Sequence, residues 1–133
     1  MSLVLVNNDK KYYEFIRILR THKDNVNGFL EQTEITEQQQ NDYMSKYCQN
    51  YYIALENDIP VGWIGAVEGD IRICVDPSNK KRGIGKFMLN ELMIKHPTSN
   101  AKVLLNNSSS QNLFKSCGFE EYNKDNKFIY YKK

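Results

Sequence analysis

Hydrophobic and polar positions alternate with two different periods along the chain, and each stretch of one period predicts an element. Apolar residues at every second position predict strands over 3–6, 51–56, 59–67, 71–75, 101–105, 119–122 and 128–131. Apolar residues at helical spacing predict helices over 10–20, 37–48, 83–95 and 108–117. In chain order this gives a strand, two helices, three strands, a helix, a strand, a helix and two strands.

That order predicts the α/β (α+β) class, with a single mixed, mostly antiparallel sheet of about seven strands flanked by about four helices. The length of 133 residues suits one domain over residues 1–133. Two capping residues refine the helices, since Thr36 is placed to cap the second helix and Ser108 the fourth. The glutamines at 38–40 are expected on a solvated face.

A strand, a polar loop and a helix follow one another between residues 73 and 86. Pro77 ends the strand because it has no backbone N–H for a ladder. Gly83 and Gly85 stand where the helix begins, and glycine lets a ligand approach the backbone closely. Unpaired N–H groups at a helix N-terminus bind anions. Four cations surround this point: Lys80, Lys81, Arg82 and Lys86.

The stretch therefore predicts a phosphate or pyrophosphate site. The glycine spacing matches neither the P-loop nor the dinucleotide-binding pattern. The alternative interpretation is a flexible helix start with solvated lysines.

Two ordered motifs carry a family resemblance. The run Val75-x-Pro77-x-x-Lys80-x-x-Gly83-x-Gly85 resembles motif A of the GNAT (GCN5-related N-acetyltransferase) family, V-x-P-x-x-R/Q-x-x-G-x-G/A. Lys80 stands where that family has Arg or Gln. The run 107–119 is similar to motif B, N-x-x-A-x-x-L-Y-x-x-x-G-F, and the resemblance covers most of the chain. It implies the acetyltransferase fold.

The resemblance also implies acetyl-CoA as co-substrate and no metal. Backbone N–H groups of 81–86 would hold the pyrophosphate, and the strand before the loop would part from its neighbour and pair with the pantetheine arm. A backbone N–H at Ile73 or Val75 would polarise the thioester carbonyl. The cofactor-binding residues implied are Ile73, Cys74, Val75, Lys80, Lys81, Arg82, Gly83, Ile84, Gly85, Lys86, Asn107 and Phe114.

The groups that move protons are less well defined. The family's usual acid is the motif B tyrosine, and Phe114 stands at that position without a hydroxyl. Either the thiolate leaves unassisted, because a thiol pKa is near 8.5, or a serine of 108–110 substitutes. The candidate catalytic bases are Asp70, near a family glutamate position, and His22, in the loop that lines the family's acceptor site. Solvated surface roles for both, or a chain of waters, are the alternatives.

Composition limits the classes of partner that this chain is expected to bind. A net charge of +2 argues against a dedicated nucleic-acid binder. Three cysteines without metal-ligand spacing fit a reducing cytoplasm, with Cys74 and Cys117 as small packed residues. No apolar run has the length of a membrane span, so no membrane partner is expected.

The acceptor is expected to be a primary amine of a small molecule. Segments 17–22 and 34–40 are loosely similar to family members that acetylate amino sugars of sugar nucleotides. A protein or peptide N-acetyltransferase is one alternative. A non-catalytic acyl-CoA-binding module is another, because Phe114 lacks the acid. Monomer and homodimer both stay open.

Overall fold

The computed structural model describes residues 2–21, 36–79 and 83–133. Seven strands lie in these ranges: β1 Leu3–Asn7, β2 Tyr51–Glu56, β3 Ile59–Val67, β4 Asp70–Val75, β5 Ala101–Leu104, β6 Glu120–Lys124 and β7 Phe128–Lys132. Four α-helices accompany them: α1 Tyr13–Thr21, α2 Glu37–Tyr47, α3 Ile84–Lys95 and α4 Ser108–Ser116. The order of strands and helices is the predicted one.

The seven strands form two antiparallel sheets, with strand orders β1-β2-β3-β4 and β5-β7-β6. One parallel bridge between Asp70 and Asn100 joins them. There the N–H of Ile71 donates to the Asn100 carbonyl at 2.9 Å, and the N–H of Asn100 donates to the Gly69 carbonyl at 2.8 Å. The predicted mixed, mostly antiparallel α/β fold is confirmed, but the sheet is divided in two beside β4.

The two faces of the first sheet carry separate hydrophobic clusters, because successive strand residues point to opposite faces. One face packs against α3 and α4 through a cluster that includes Ile64 and Met88. The other packs against α1 and α2 through a cluster that includes Trp63 and Met44. Helix α3 approaches β3 closely at Gly62, where an added Cβ would lie 2.9 Å from Met88 Cε.

Three local predictions have different outcomes. Thr36 caps α2, and its hydroxyl accepts from the backbone N–H of Gln39 at 3.1 Å, as expected. The expectation that all three glutamines are solvated is wrong for Gln40, which is 4% exposed and donates to the Tyr13 carbonyl at 3.0 Å. At the junction of α1 and α2, its side-chain amide is therefore hydrogen-bonded to a backbone carbonyl instead of to water. The predicted packing of Cys74 and Cys117 is confirmed, since both are buried.

Candidate active site

The start of α3 presents backbone donors that have no acceptor in the part of the chain that the structure describes. Gly83 is its N-cap, with a left-handed φ of 82° that glycine adopts without strain. The N–H groups of Ile84, Gly85 and Lys86 lie in the first turn, where an α-helix offers them no acceptor. Ile84 is 1% exposed and anchors this turn in the core. Of the predicted cations here, Lys86 is exposed, whereas those at 80–82 lie outside the described residues.

Gly85 lets three elements converge beside this helix start. A Cβ at Gly85 would lie 3.3 Å from Leu113 Cδ2 of α4 and 3.8 Å from Val75 Cγ2 of β4. The first of these distances is tighter than ordinary van der Waals contact, so the Leu113 side chain would have to shift by a few tenths of an ångström to admit a Cβ. The glycine therefore keeps the helix start next to the end of β4.

The donors of β4 face the opening between the two sheets. Successive strand N–H groups point to opposite edges. The N–H of Ile71 donates toward β5, to Asn100, whereas the N–H of Asp76 donates toward β3. Ile73 and Val75 share the direction of Ile71, so their N–H groups point toward β5. In the described part of the chain, β4 and β5 are bridged only at Asp70 and Asn100, and these two donors point into the gap.

The side chain of Cys74, between Ile73 and Val75, points to the face of the sheet that packs against α1. Cys74 is 6% exposed, and its Sγ lies 3.8 Å from the Leu19 carbonyl on the α1 face of the sheet. Its thiol is directed away from the side on which α3 begins. Only its backbone is available to a ligand in the gap.

Asn107 caps α4, in place of the predicted Ser108. Its Oδ1 accepts from the backbone N–H of Ser110 at 3.2 Å, because Asn107, and not Ser108, has the non-helical backbone that a cap needs. With the Oδ1 atom used in this bond, the Nδ2 group is the side-chain donor that the predicted pantetheine contact would use. The first three residues of α4 are the serines at 108–110.

Phe114 belongs to the core. It is 3% exposed, stacks on Tyr131 with ring centroids 6.0 Å apart, and meets Phe119 edge-on at 5.2 Å. An aromatic ring at this position fills space between α4 and β7, and it has no group to give or take a proton. The Tyr131 hydroxyl has no hydrogen-bond partner among the described residues, and burial raises its pKa.

Asp70 is the first residue of β4 and was predicted to lie in the preceding turn. It is half-buried, and its Oδ2 lies 3.9 Å from Arg72 Nε. Asp70 precedes Ile73 by three residues, so it stands about 10 Å along the strand from the donors in the gap. The other predicted base, His22, lies outside the described residues.

A groove of about 380 Å³ begins at Asp70 on the sheet face opposite α3. Its walls combine two acidic, two basic and two aromatic side chains with main chain from the β3–β4 turn. These lining residues are Val67, Glu68, Gly69, Asp70, Arg72, Asn100, Ala101, Lys102, Tyr122 and Tyr130. Of these, the sequence prediction included Asp70. The signal for Arg72 and Lys102 was present, because each is a charged residue between two apolar neighbours on its strand.

Hydrogen bonds fix the groove on both sides. Arg72 Nη1 donates to the Tyr43 hydroxyl at 3.5 Å, which lies 2.6 Å from the Tyr51 hydroxyl. Burial, and then the bond to Tyr43, raise the pKa of Tyr51, so this phenol stays neutral. On the far side the Tyr130 hydroxyl donates to Asp125 Oδ2 at 2.7 Å. That bond lowers the pKa of the Asp125 carboxyl, together with bonds from two backbone N–H groups of the same hairpin.

Two sheets that separate beside a helix with a glycine N-cap are characteristic of the acetyltransferase fold. The family model of the acetyltransferase (GNAT) domain matches residues 48–121, and this chain belongs to that family. The domain is that of an N-acetyltransferase. No protein of curated function matches the sequence.

Solved structures agree on the fold. Spermidine N-acetyltransferase from Vibrio cholerae, in complex with CoA and spermine, has 14% identity and a TM-score of 0.83, over 97% of this chain and 92% of that one. A GNAT-family acetyltransferase from Bacillus anthracis has 14% identity and a TM-score of 0.79, over 98% and 93%. The yncA protein from Salmonella typhimurium, with its cofactor acetyl-CoA, has 13% identity and a TM-score of 0.75, over 98% and 92%.

Within the described ranges, no three or more His, Cys, Asp or Glu side chains come together as a metal-ligand group. None of the helices described here is both long enough and apolar enough to cross a bilayer.

Proposed function

We propose that residues 1–133 form one acetyltransferase domain that moves the acetyl group of acetyl-CoA onto a primary amine of a small molecule. The observation that carries the proposal is the pair of N–H groups at Ile73 and Val75. They point into the gap between β4 and β5, and the gap ends beside the free donors at Gly83–Lys86. The donors at the end of the gap could thus bind a pyrophosphate. The two donors along its wall could bind the acyl oxygen of the thioester.

In this proposal the backbone donors of β4 stabilise the charge that develops on the thioester oxygen. Such donors are fixed before the reaction, so they need no reorganisation as charge forms. The amine attacks the carbonyl carbon, the carbon–sulfur bond breaks, and the electron pair leaves on the CoA sulfur. The amine's proton passes to water, with Asp70 as the predicted base on β4. Phe114 donates nothing, so the sulfur leaves as a thiolate, as its ordinary pKa allows at neutral pH.

A small acceptor is supported by the groove. A volume of about 380 Å³ lies near the lower end of the range for small-molecule sites. The similar Vibrio cholerae enzyme is a spermidine N-acetyltransferase, which supports an amine acceptor for this chain. The more specific acceptor, an amino sugar or a sugar nucleotide, stays a prediction of segments 17–22 and 34–40. Arg17, one of its cations, pairs with Glu14 one turn earlier on α1.

The test is release of free CoA thiol from acetyl-CoA in the presence of single amines, with the acetylated product identified by mass spectrometry. The panel holds polyamines, amino acids, amino sugars and a short peptide with a free N-terminus. We expect at least one small amine to raise thiol release well above hydrolysis without amine. CoA binding with no stimulation by any amine between about pH 6 and pH 9 would contradict the proposal. It would favour a non-catalytic acyl-CoA-binding module, and activity on the peptide alone would favour the peptide alternative.

A further inference from the structure

Strand β6 forms an open edge of the second sheet. In the described part of the chain it pairs with β7 alone, and all five of its residues, Glu120–Lys124, are exposed. An open edge presents unpaired backbone N–H and C=O groups to another strand. We propose that this edge binds β6 of a second copy of the chain, antiparallel, so that two molecules form a symmetric dimer. The inference does not depend on the function proposed above.

The two ends of β6 carry opposite charges. Glu120 and Glu121 begin the strand, and Lys124 ends it. Antiparallel pairing about a two-fold axis brings the start of one strand against the end of the other, so the acids of one copy meet the lysine of its partner. An edge strand that carries lysines alone repels a second copy, whereas the charges of β6 attract one.

A β-bulge in β6 brings two of these charges onto one face. Tyr122 is the extra residue of the bulge, at which the register with β7 shifts. Before the bulge, Glu121 is opposite Tyr131, and after it, Lys124 is opposite Ile129. Both β7 residues are buried in the cluster that packs against α3 and α4. Because opposed residues of an antiparallel pair share a face, Glu121 and Lys124 both lie on the α4 side of the sheet.

The shared face determines the register of the dimer. With the two-fold axis between Tyr122 and Asn123, Glu121 stands opposite the partner's Lys124 on the same face, and Lys124 stands opposite the partner's Glu121. Opposite charges at such positions of neighbouring strands attract each other, so two ion pairs form. Among the described residues, neither Glu121 nor Lys124 has an ion pair within its own chain. Both are therefore available to a partner.

The other acids of this hairpin have partners in their own chain. Glu120 stands opposite Lys132 of β7. The Asp125 carboxylate accepts from two backbone N–H groups of the hairpin turn, and from the Tyr130 hydroxyl at 2.7 Å. These contacts turn the Asp125 carboxylate back onto its own molecule, so the two ion pairs across the axis decide the charge balance of the edge.

A row of aromatic rings on the other face of the sheet ends at the same edge. The ring centroids of Phe128 and Tyr130 lie 6.3 Å apart, as do those of Tyr130 and Tyr122. Tyr122 is the last ring of the row and is 47% exposed. In the dimer the Tyr122 rings of both copies approach each other across the axis and bury apolar surface. Since Tyr122 and Tyr130 line the groove, the partner's Asn123 would stand beside the groove wall.

Sedimentation equilibrium of the whole chain tests the dimer. A five-residue strand buries less surface than a standard interface of about 1,600 Å², so we expect a dimer that dissociates between about 100 μM and about 1 μM. Glu121→Lys and Lys124→Glu should each raise the dissociation constant about tenfold or more, because each makes both ion pairs repulsive. An equimolar mixture of the two variants should associate again, since every pair across the axis is then of opposite charge. Lys115→Glu, an exposed lysine of α4, is the matched control and should associate like the wild type.

Hydrogen exchange then assigns the contact to β6. The backbone N–H groups of this strand should exchange more slowly at about 100 μM protein than at about 1 μM, and circular dichroism melts show that each variant is folded. A wild-type chain that is monomeric at about 100 μM would overturn the inference. So would a dimer whose dissociation constant neither substitution changes, or a mixture of the two folded variants that stays monomeric.

Discussion

Replacing Gly83 by Glu or by Gln isolates the charge at the start of α3. Both variants place a side chain of nearly the same size at a residue whose φ is 82°. Among the described residues, an added Cβ there meets no atom within 4 Å, so neither variant clashes. Each carries the same left-handed backbone strain, about 1 to 2 kcal/mol for a residue with a Cβ. The two variants therefore differ in one negative charge.

That charge is expected to weaken CoA binding strongly. Two unit charges about 4 Å apart interact by about 1 kcal/mol in bulk water and about 4 kcal/mol near a protein surface. A carboxylate beside a bound phosphate thus raises Kd by about fivefold to about a thousandfold, relative to Gln. The same carboxylate interacts favourably with the dipole of α3, which stabilises the fold by about 0.3 to 1 kcal/mol. The Glu variant should therefore be no less stable than the Gln variant.

Isothermal titration with CoA gives the two dissociation constants, and thermal melts give the two stabilities. Because exposed charges are screened beyond about 10 Å at 0.1 M salt, higher ionic strength should narrow the difference in Kd. Equal CoA affinities for Glu and Gln at low salt would refute the placement of the pyrophosphate at this helix start. A Glu variant that melts well below the Gln variant would show that backbone strain and charge had not been separated.

Three other substitutions test the packing of the core and the role of Phe114 in proton transfer. Phe114→Tyr should leave kcat nearly unchanged if thiolate departs unassisted, whereas a rise of about tenfold or more would show that an acid was missing. Gly65→Ala should destabilise the fold by at least about 1 to 3 kcal/mol, because its Cβ would lie 2.5 Å from Tyr51 Cδ1 and 2.9 Å from the Asn50 carbonyl; an unchanged denaturation midpoint would contradict this. Folding raises the pKa of Tyr51, so the neutral hydroxyl stabilises the folded state. This contribution is complete at pH values below the ordinary pKa of 10.0 and is lost as the pH rises above that pKa. Denaturation at about pH 8 and about pH 11 should therefore show a smaller alkaline loss for Tyr51→Phe than for the wild type.

The bounds of most elements could be predicted because each is set by its own residues. Strand β3 combines an apolar run with a turn at either end, and α2 begins at a threonine cap. The separation of the two sheets could not be predicted in the same way. A period of two reports that a strand is half-buried, but it does not report which strand lies beside it. The single bridge at Asp70 and Asn100 depends on residues 30 positions apart in the sequence.

The same limit explains which parts of the site were found. Gly83 and Gly85 belong to a local pattern, so the helix start could be predicted from consecutive residues. The groove depends on tertiary pairing, since its walls come from strands of both sheets, which the bridge between Asp70 and Asn100 brings together. Asn107 and Ser108 show a smaller form of the limit. Both residue types cap helices well, and the sequence does not say which of two adjacent residues has the non-helical backbone of a cap.

The two halves of the site differ in what holds the ligand, and this difference explains how Phe114 is compatible with the family fold. The cofactor half depends on backbone N–H groups, whose placement requires few side chains beyond glycines at 83 and 85. The fold that places these groups is shared with a structure of 14% identity at a TM-score of 0.83. The acceptor half of the proposed function depends instead on the side chains that line the groove. Phe114 packs in the core between α4 and β7, where an aromatic ring is needed with or without a hydroxyl. Loss of that hydroxyl therefore affects proton transfer alone and leaves the backbone donors of the cofactor half in place.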